Sequence, residues 1–421
     1  MTISLTVTMV TGMAITRHEI ESISDHQGWI LLYGRRKVGK TFLVRNFIKH
    51  DDYILIKRGG GALFEKGPVR SCDDNKLAMD LIIDRIKDGR TIVVDEFQRL
   101  PDEFLDRLQM VHPRGRVLLL GSSMKVAKEL LSSRSPLLGL LGEVKMGLLS
   151  PCEIFFGLSE VMPAQKALEL GTYLRDPWSI PYLGGSPSET MERILNRSRE
   201  AIPALIGEIF LSDERYLSRV YEGILRSLAD GKTTLKEVAD QLHSRGLIKA
   251  NDPSLIRQYV LIMISMDLIQ KIPVNNKKGN YYTIRSKIMD LYYYIDEKYG
   301  LDLGGMDLAM EVYKERSPRH IESFIGELLA EIMGGVFEYQ MDPDRELDIM
   351  IKRRNKMILV GEVKWSDRVR KKDIETFSRK VEGLNCKKIL ISKKRISMDN
   401  IGSLTPEDLL EMAKKMKREK R

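Results

Sequence analysis

An α/β fold, with a parallel sheet around a phosphate-binding loop, is predicted for the first third of this 421-residue chain, and a second α/β domain is predicted near its end. Three observations predict it. Residues 34–41 read GRRKVGKT, between an apolar run (Trp29–Tyr33) and a helical pattern that places Phe42, Leu43, Phe47 and Ile48 on one face. Residues 91–98 read TIVVDEFQ, a β-branched run that ends in two acids. Further on, Asp348 lies in an alternating apolar run, and Glu362 and Lys364 lie in the next one.

The octet carries a specific chemistry. Glycines at 34 and 39 permit backbone conformations that turn N–H groups inward, so Gly34, Lys37, Val38 and Gly39 are expected to cradle the phosphates of ATP. The helix that opens near Lys40 adds its positive end. Lys40 is expected to reach the β- and γ-phosphates, and the Thr41 hydroxyl to hold Mg²⁺. Asp95, at the end of the second strand, suits the outer Mg²⁺ position, and Glu96 suits orienting or deprotonating the attacking water. A third strand, 117–120, runs into Gly121-Ser122-Ser123. Ser122 is there a candidate sensor of the γ-phosphate, and the alternative is a serine turn capping the helix that starts near Lys125.

The chain is too long for one core, so two to four domains are expected. Hydrophobic residues make up 43%, no apolar run approaches a membrane span, and the N-terminus has no signal-peptide pattern. Cys72, Cys152 and Cys386 are scattered singly, which argues for a reducing cytoplasmic setting without structural disulfides or zinc. The net charge of +9 makes DNA a reasonable partner, and the abundance of Lys, Arg and Glu is compatible with a thermophilic source.

Residues 1–150 alternate strand-like and helix-like segments, as parallel sheets do. Residues 151–212 read as helices interrupted by Pro163, Pro177, Pro181, Pro187 and Pro203, with a turn cluster at 180–187 that suits a helical lid over a nucleotide. Residues 213–300 read as three helices (216–229, 233–242 and 252–266) and a hairpin (268–274 with 281–284), the order of a winged-helix domain. Thr233 or Thr234 with Glu237 forms a capping box, and Asp252-Pro253 opens the third helix. That third helix carries Arg257 and Gln258 but little else basic, so DNA contact and a connector or dimer role both stay open.

Residues 301–421 hold the second constellation. Alternation puts Glu362 and Lys364 on one face, and a hairpin returns Asp348 beside them. Asp348 and Glu362 are expected to bind Mg²⁺ through hard oxygens, with Lys364 positioning or activating a water. A purely structural Glu–Lys pair has the same geometry. Glu327 or Glu331, one helical turn apart on the preceding helix, is expected to complete the site. The basic turn 352–356, with Arg368, Arg370, Lys371 and Lys372, is expected to lie close to it and to touch DNA phosphates.

Taken together, GRRKVGKT, VVDEFQ, GSSM, SRSPLLG and YLGGSP resemble the archaeal ATPases of the STAND-related P-loop class, and the C-terminal region is similar to the restriction-endonuclease-like domain that often follows them. The resemblance covers nearly the whole chain. It implies an AAA-like P-loop core, a helical lid, a winged helix and a PD-(D/E)xK-type fold. It puts nucleotide roles on Gly34, Gly39, Lys40, Thr41, Asp95 and Glu96, and nuclease-like roles on Asp348, Glu362 and Lys364. One departure stands out: the family carries an arginine shortly after the SPL-x-G element, where this chain has Leu140, with Arg134 on the other side. The expectation is an ATP-hydrolysing switch acting on or near DNA, with a Mg²⁺-dependent nuclease at its C-terminal end. The alternative is a regulatory ATPase whose C-terminal domain only binds nucleic acid or protein. A small-molecule kinase is disfavoured, because an Asp-Glu pair fits water activation better than a bound hydroxyl. An oligomer or a partner protein is left open.

Overall fold

The computed structural model describes residues 15–197, 200–212, 218–275, 279–300, 306–342, 345–366, 368–398 and 400–419. Two compact units emerge, and neither is a single stretch of chain. The first takes Thr16–Leu148 and Pro203–Leu217, and the second takes Leu149–Ile202 and Ser218–Arg421.

The first unit is built on seven strands: β1 (Trp29–Tyr33), β2 (Asp52–Ile56), β3 (Ala62–Phe64), β4 (Ser71–Cys72), β5 (Thr91–Asp95), β6 (Arg116–Gly121) and β7 (Leu141–Lys145). Their spatial order is β4-β3-β2-β5-β6-β1-β7, parallel from β2 to β7, with β3 and β4 antiparallel at one edge. Successive side chains of the central strands enter opposite cores. Leu31, Val94 and Leu119 pack on one face, and Ile30, Leu32, Val93 and Leu118 on the other. The phosphate-loop strand β1 is thus separated from the acid-bearing strand β5 by β6 alone. All three expected strands are present, and Ser123 caps helix Met124–Leu130 by accepting from the Val126 N–H at 3.2 Å.

One packing expectation is corrected. Helix Lys40–Phe47 buries Lys40, Leu43 and Val44, whereas Phe42 is 37% exposed. At 100° per residue the inward stripe runs through 43, 44 and 47, and Phe42 lies about 100° beyond its edge.

In the second unit, prolines stand at or near helix starts: Pro151 opens Pro151–Ser159, Pro163 caps Ala164–Gly171, and Pro187 opens Pro187–Arg197. Helices Arg219–Ala229, Leu235–Ser244 and Ser254–Ser265 then lead into a hairpin of β8 (Ile269–Pro273) and β9 (Asn280–Ile284). The capping box of Thr234 and Glu237 forms as expected. After helix Lys287–Tyr299 and the long helix Met306–Met333 comes a second sheet. Its strands are β10 (Val336–Asp342), β11 (Arg345–Arg353), β12 (Lys356–Lys364), β13 (Lys387–Ser392) and β14 (Gly402–Leu404), hydrogen-bonded in sequence order. Pairing is antiparallel through β12 and parallel beyond it, with Leu347, Met350, Val360 and Leu390 packed on Phe377 and Val381. Among the described residues no helix is long and apolar enough to cross a membrane.

The second unit also buries a polar knot. Asp290 accepts from Arg316 at 2.9 Å, lies 3.4 Å from His320 Nε2, and has Lys287 nearby. His320 Nδ1 meets the Tyr173 hydroxyl at 3.1 Å. Burial pulls the His320 imidazole down to about 4, although Asp290 favours its charge. A histidine whose pKa falls on folding binds its proton better in the unfolded chain. Stability is therefore lost as pH drops from the unfolded value of 6.5 toward about 4. The size is roughly 3 kcal/mol at most. The unfolding midpoint of the second unit is expected to fall across this window, and His320→Asn is expected to flatten the fall. An unchanged pH profile in that variant would assign the acid sensitivity to other groups.

Candidate active sites

The phosphate loop is shaped by close contacts at its two glycines. A Cβ on Gly34 would meet the Met146 carbonyl oxygen at 2.0 Å, so only glycine fits against the start of the loop. Gly39 has φ 94°, and Lys37 also takes a left-handed conformation at 64°. Sequence reasoning missed a brace: buried Arg17, paired with Glu19 at 2.9 Å, donates to the carbonyls of Val38 at 3.1 Å and Gly147 at 3.0 Å. Lys40 is buried, and its ammonium donates to the loop carbonyls of Gly34 at 2.7 Å and Arg35 at 3.0 Å. Burial pulls it down to about 8, against Glu96 and Asp95, which favour its charge.

Thr41 and Asp95 come together across the sheet, the hydroxyl donating to the carboxylate at 2.7 Å. Tyr53 of β2 donates to the same carboxylate oxygen, a partner no motif announces, and its phenol is pushed up by burial and by Asp95. Glu96 adopts a left-handed φ of 58°, which turns its carboxylate out of the strand. There Oε2 receives Gln98 at 2.8 Å and Ser122 at 3.2 Å, with Arg99 at 3.1 Å and Arg36 at 3.6 Å. Ser122 thus lies against the acid. A hydroxyl and a carboxylate this close are the hard oxygens that Mg²⁺ takes, so Thr41 and Asp95 fit the ion.

A glycine-cradled loop after β1 with a buried lysine opening the next helix, and an Asp-Glu pair at the end of β5 with one strand between, define a P-loop NTPase core. Comparison with known families agrees: residues 26–155 match the AAA domain family. The matched segment holds the phosphate loop, Lys40 and both acids at the end of β5. The chain is 24% identical over 295 residues to the "Uncharacterized protein MJECL04" of Methanocaldococcus jannaschii, a match covering 64% of each protein and so just under two thirds of that relative. Among solved structures, it is similar to the Walker-type ATPase PABY2304 of Pyrococcus abyssi, at 18% identity and a TM-score of 0.45 over 66% of this chain and 96% of that one. It is also similar to the ORC2 protein of Aeropyrum pernix in its ADPNP-ADP complexes, at 13% identity and a TM-score of 0.40 over 73% and 94%.

The second unit gathers a different cluster. Ile349 pairs with Gly361, which sets Asp348 of β11 beside Glu362 of β12 on one face. Asp348 accepts the Val363 N–H at 2.8 Å, and Lys364 donates to Glu362 at 2.8 Å. Helix Lys371–Lys380 adds Lys380, 3.3 Å from both Glu362 oxygens, a partner the sequence reading missed. Burial opposes the Lys364 charge, yet Glu362 and Asp348 hold the ammonium above its ordinary range.

The expected third acid is corrected. Glu327 pairs with Arg175 at 2.6 Å, and Glu331 accepts from Ser150 Oγ at 2.7 Å and the Cys152 N–H at 3.0 Å. Neither completes the cluster. Glu322, five residues earlier than Glu327 on the same helix, is the acid that senses Asp348 and Glu362. Its carboxyl is raised by burial and then by Asp348, and Asp348 is raised by burial and then by Glu362. Three carboxyls crowding one another in a poorly solvated place repel, which is what a divalent cation relieves. Asp348 and Glu362 fit such an ion, with Glu322 beside them.

The basic turn is corrected as well. Arg353 pairs with Lys356 at the tip of the β11–β12 hairpin, about 16 Å along the strands from Asp348 at roughly 3.3 Å per residue. Lys352 is engaged by Glu338 at 2.7 Å and Asn275 at 2.6 Å. The segment leaving Lys364 does lie at the cluster's end of the strand, and its Arg368, Arg370, Lys371 and Lys372 are exposed or partly exposed.

Proposed function

We propose that this ATPase is a nucleotide-driven switch acting on DNA, and that its second unit is a restriction-endonuclease-like domain cutting the phosphodiester backbone with Mg²⁺. The observation that carries the reading is the meeting of Glu322, Asp348, Glu362 and Lys364 from one helix and two neighbouring strands. Mg²⁺, when bound, would supply a Lewis acid and a more acidic water. The chain's own groups then have defined tasks. Asp348, fixed by the Val363 N–H, and Glu362 present hard oxygens on one face. Lys364, once Glu362 is otherwise engaged, is free to orient the attacking water or a phosphate oxygen. In the first unit, Lys40 neutralises the β- and γ-phosphates and Glu96 accepts the proton of the hydrolytic water. The three helices and hairpin of residues 219–284 are read as a winged helix, with exposed Arg257 and Gln258 available to DNA.

A second reading rests on one observation. Glu362 is already satisfied by two ammoniums, Lys364 and Lys380, as in a domain that binds without cutting. One assay separates the two: cleavage of plasmid, nicked and branched DNA with Mg²⁺ or EDTA, with and without ATP. Metal-dependent cutting, abolished by Asp348→Ala and by Lys364→Ala, is expected. DNA binding without cutting under all these conditions would select the second reading. Binding should weaken steeply with salt, and neutralising Arg368, Lys371 or Lys372 should reduce the log–log slope by about one for each phosphate left without its cation. Salt-independent binding would remove DNA from the proposal.

A further inference from the structure

Two hydroxyls meet one oxygen of Asp95. Thr41 donates to Oδ2 at 2.7 Å from the helix that follows the phosphate loop, and Tyr53 donates to the same atom from β2. Asp95 is 4% exposed and Tyr53 is 2% exposed, so this contact is made out of water. Register explains why a tyrosine suits position 53. Its backbone pairs with Val93, two residues before Asp95, and the side chains of 53 and 93 line the same core. That offset is about 6.6 Å along the strands at roughly 3.3 Å per residue, a gap that a phenol bridges and a serine or threonine does not. The ring is also held from the loop's own helix, Lys40–Phe47, where the Arg45 guanidinium lies 4.3 Å from its centroid.

We propose that Tyr53 is a positioning residue for the Mg²⁺ that accompanies the nucleotide, fixing the Asp95 carboxylate and, through it, the Thr41 hydroxyl. The inference rests on reading this loop as a Mg·nucleotide site and is independent of the nuclease reading. Of the two donors to Oδ2, Thr41 is itself an expected ligand of the ion and belongs to an exposed residue. Tyr53 is buried, packed in the core and stacked under Arg45, so it is the fixed point of the trio. A hydroxyl that gives its proton to an anchored carboxylate keeps its lone pairs aimed in one direction, toward a cation. With Oδ2 taken by both hydroxyls, Oδ1 is the oxygen offered to the water shell of the ion. Without the phenol, Asp95 and Thr41 hold only each other, and binding the metal then includes the cost of ordering them.

The test follows fluorescent β,γ-imido-ATP on the full chain, first in EDTA and then with rising Mg²⁺. Tyr53→Phe keeps the ring and removes only the hydroxyl. It is expected to raise the half-saturating Mg²⁺ about fivefold, the cost of ordering one side chain on binding, and to leave the affinity in EDTA within about twofold. A loss shared equally by the two conditions would mark a purely structural role and overturn the proposal, as would an unchanged or lower Mg²⁺ requirement. Asp95→Asn completes a cycle. In that background Tyr53→Phe is expected to add less than about twofold, because the tyrosine acts through the carboxylate, and an undiminished effect there would overturn the proposal. If Tyr53→Phe does not fold, a crystal structure of the wild type with Mg·imido-ATP decides alone. Tyr53 still donating to Asp95 beside a metal-bound Thr41 is expected, and an Asp95 turned away from Tyr53 would overturn it. A wild type whose imido-ATP affinity is the same in EDTA and in Mg²⁺ would refute the Mg·nucleotide reading itself, and the proposal with it.

Discussion

Lys40→Ala is expected to lower the affinity for Mg·ATP by about 100-fold, the value of roughly 3 kcal/mol in charge-assisted contacts to two phosphates. The side chain is 7% exposed, and its ammonium already points into the ring of loop carbonyls formed by Gly34 and Arg35. Its reorganisation on binding is therefore small, and nearly all of its interaction counts toward the ligand. A pH signature accompanies the loss. Burial leaves the free ammonium with a pKa of about 8, so affinity in the wild type should decline above that pH as the lysine loses its proton. In Lys40→Ala this decline should disappear. Equilibrium titration from about pH 6.5 to about 9.5, a window that brackets the lysine's ionisation, measures both effects. ATP affinity that survives the substitution would contradict the loop assignment.

Glu96→Gln is expected to keep nucleotide affinity within a few-fold and to slow hydrolysis by about 10²- to 10⁴-fold, the usual worth of a positioned general base. The amide preserves the shape of the acid and its neighbours Gln98 and Ser122, so binding has little reason to change. Only the capacity to take a proton is lost. The position is also held in a left-handed backbone conformation, uncommon for glutamate, and such outliers gather where side-chain aim matters more than local comfort. Single-turnover hydrolysis with excess enzyme isolates the chemical step. Wild-type rates in this variant would move the water-activating role to another residue.

Local patterns made the first site readable. The octet from Gly34 to Thr41 and the run ending in Asp95 and Glu96 are short, and their spacing fixes strand, turn and helix without knowledge of distant contacts. The partners behind them were not readable. Tyr53 reaches Asp95 from β2 and Arg17 braces Val38 from before β1, and nothing in either sequence neighbourhood advertises a buried polar contact. In the second unit, alternation correctly paired Glu362 with Lys364, and register returned Asp348 beside them. The helical acid was misassigned because periodicity says which residues share a face and not which face meets the sheet. Residues 322 and 327 are five apart, about 140° around the helix axis. A usable signal was present, however. Glu322 is flanked by buried Ile321, Ser323, Phe324 and Ile325, the same mark of an acid held in an apolar setting that singled out Glu362. The misplaced basic turn has a simpler origin: sequence adjacency to β11 and β12 was taken as spatial nearness to Asp348, whereas a hairpin tip lies at the opposite end of its strands.

The interleaving of the two units bears on how this protein could be taken apart or inherited. Because Pro203–Leu217 joins Thr16–Leu148 while the residues on either side of it belong elsewhere, no single scission releases the first unit intact. A protein ending at residue 148 would lack the later part of the first unit, and one ending at 217 would carry 149–202 without the companions they pack with. Recombination faces the same constraint: exchange at one breakpoint cannot transplant either unit whole.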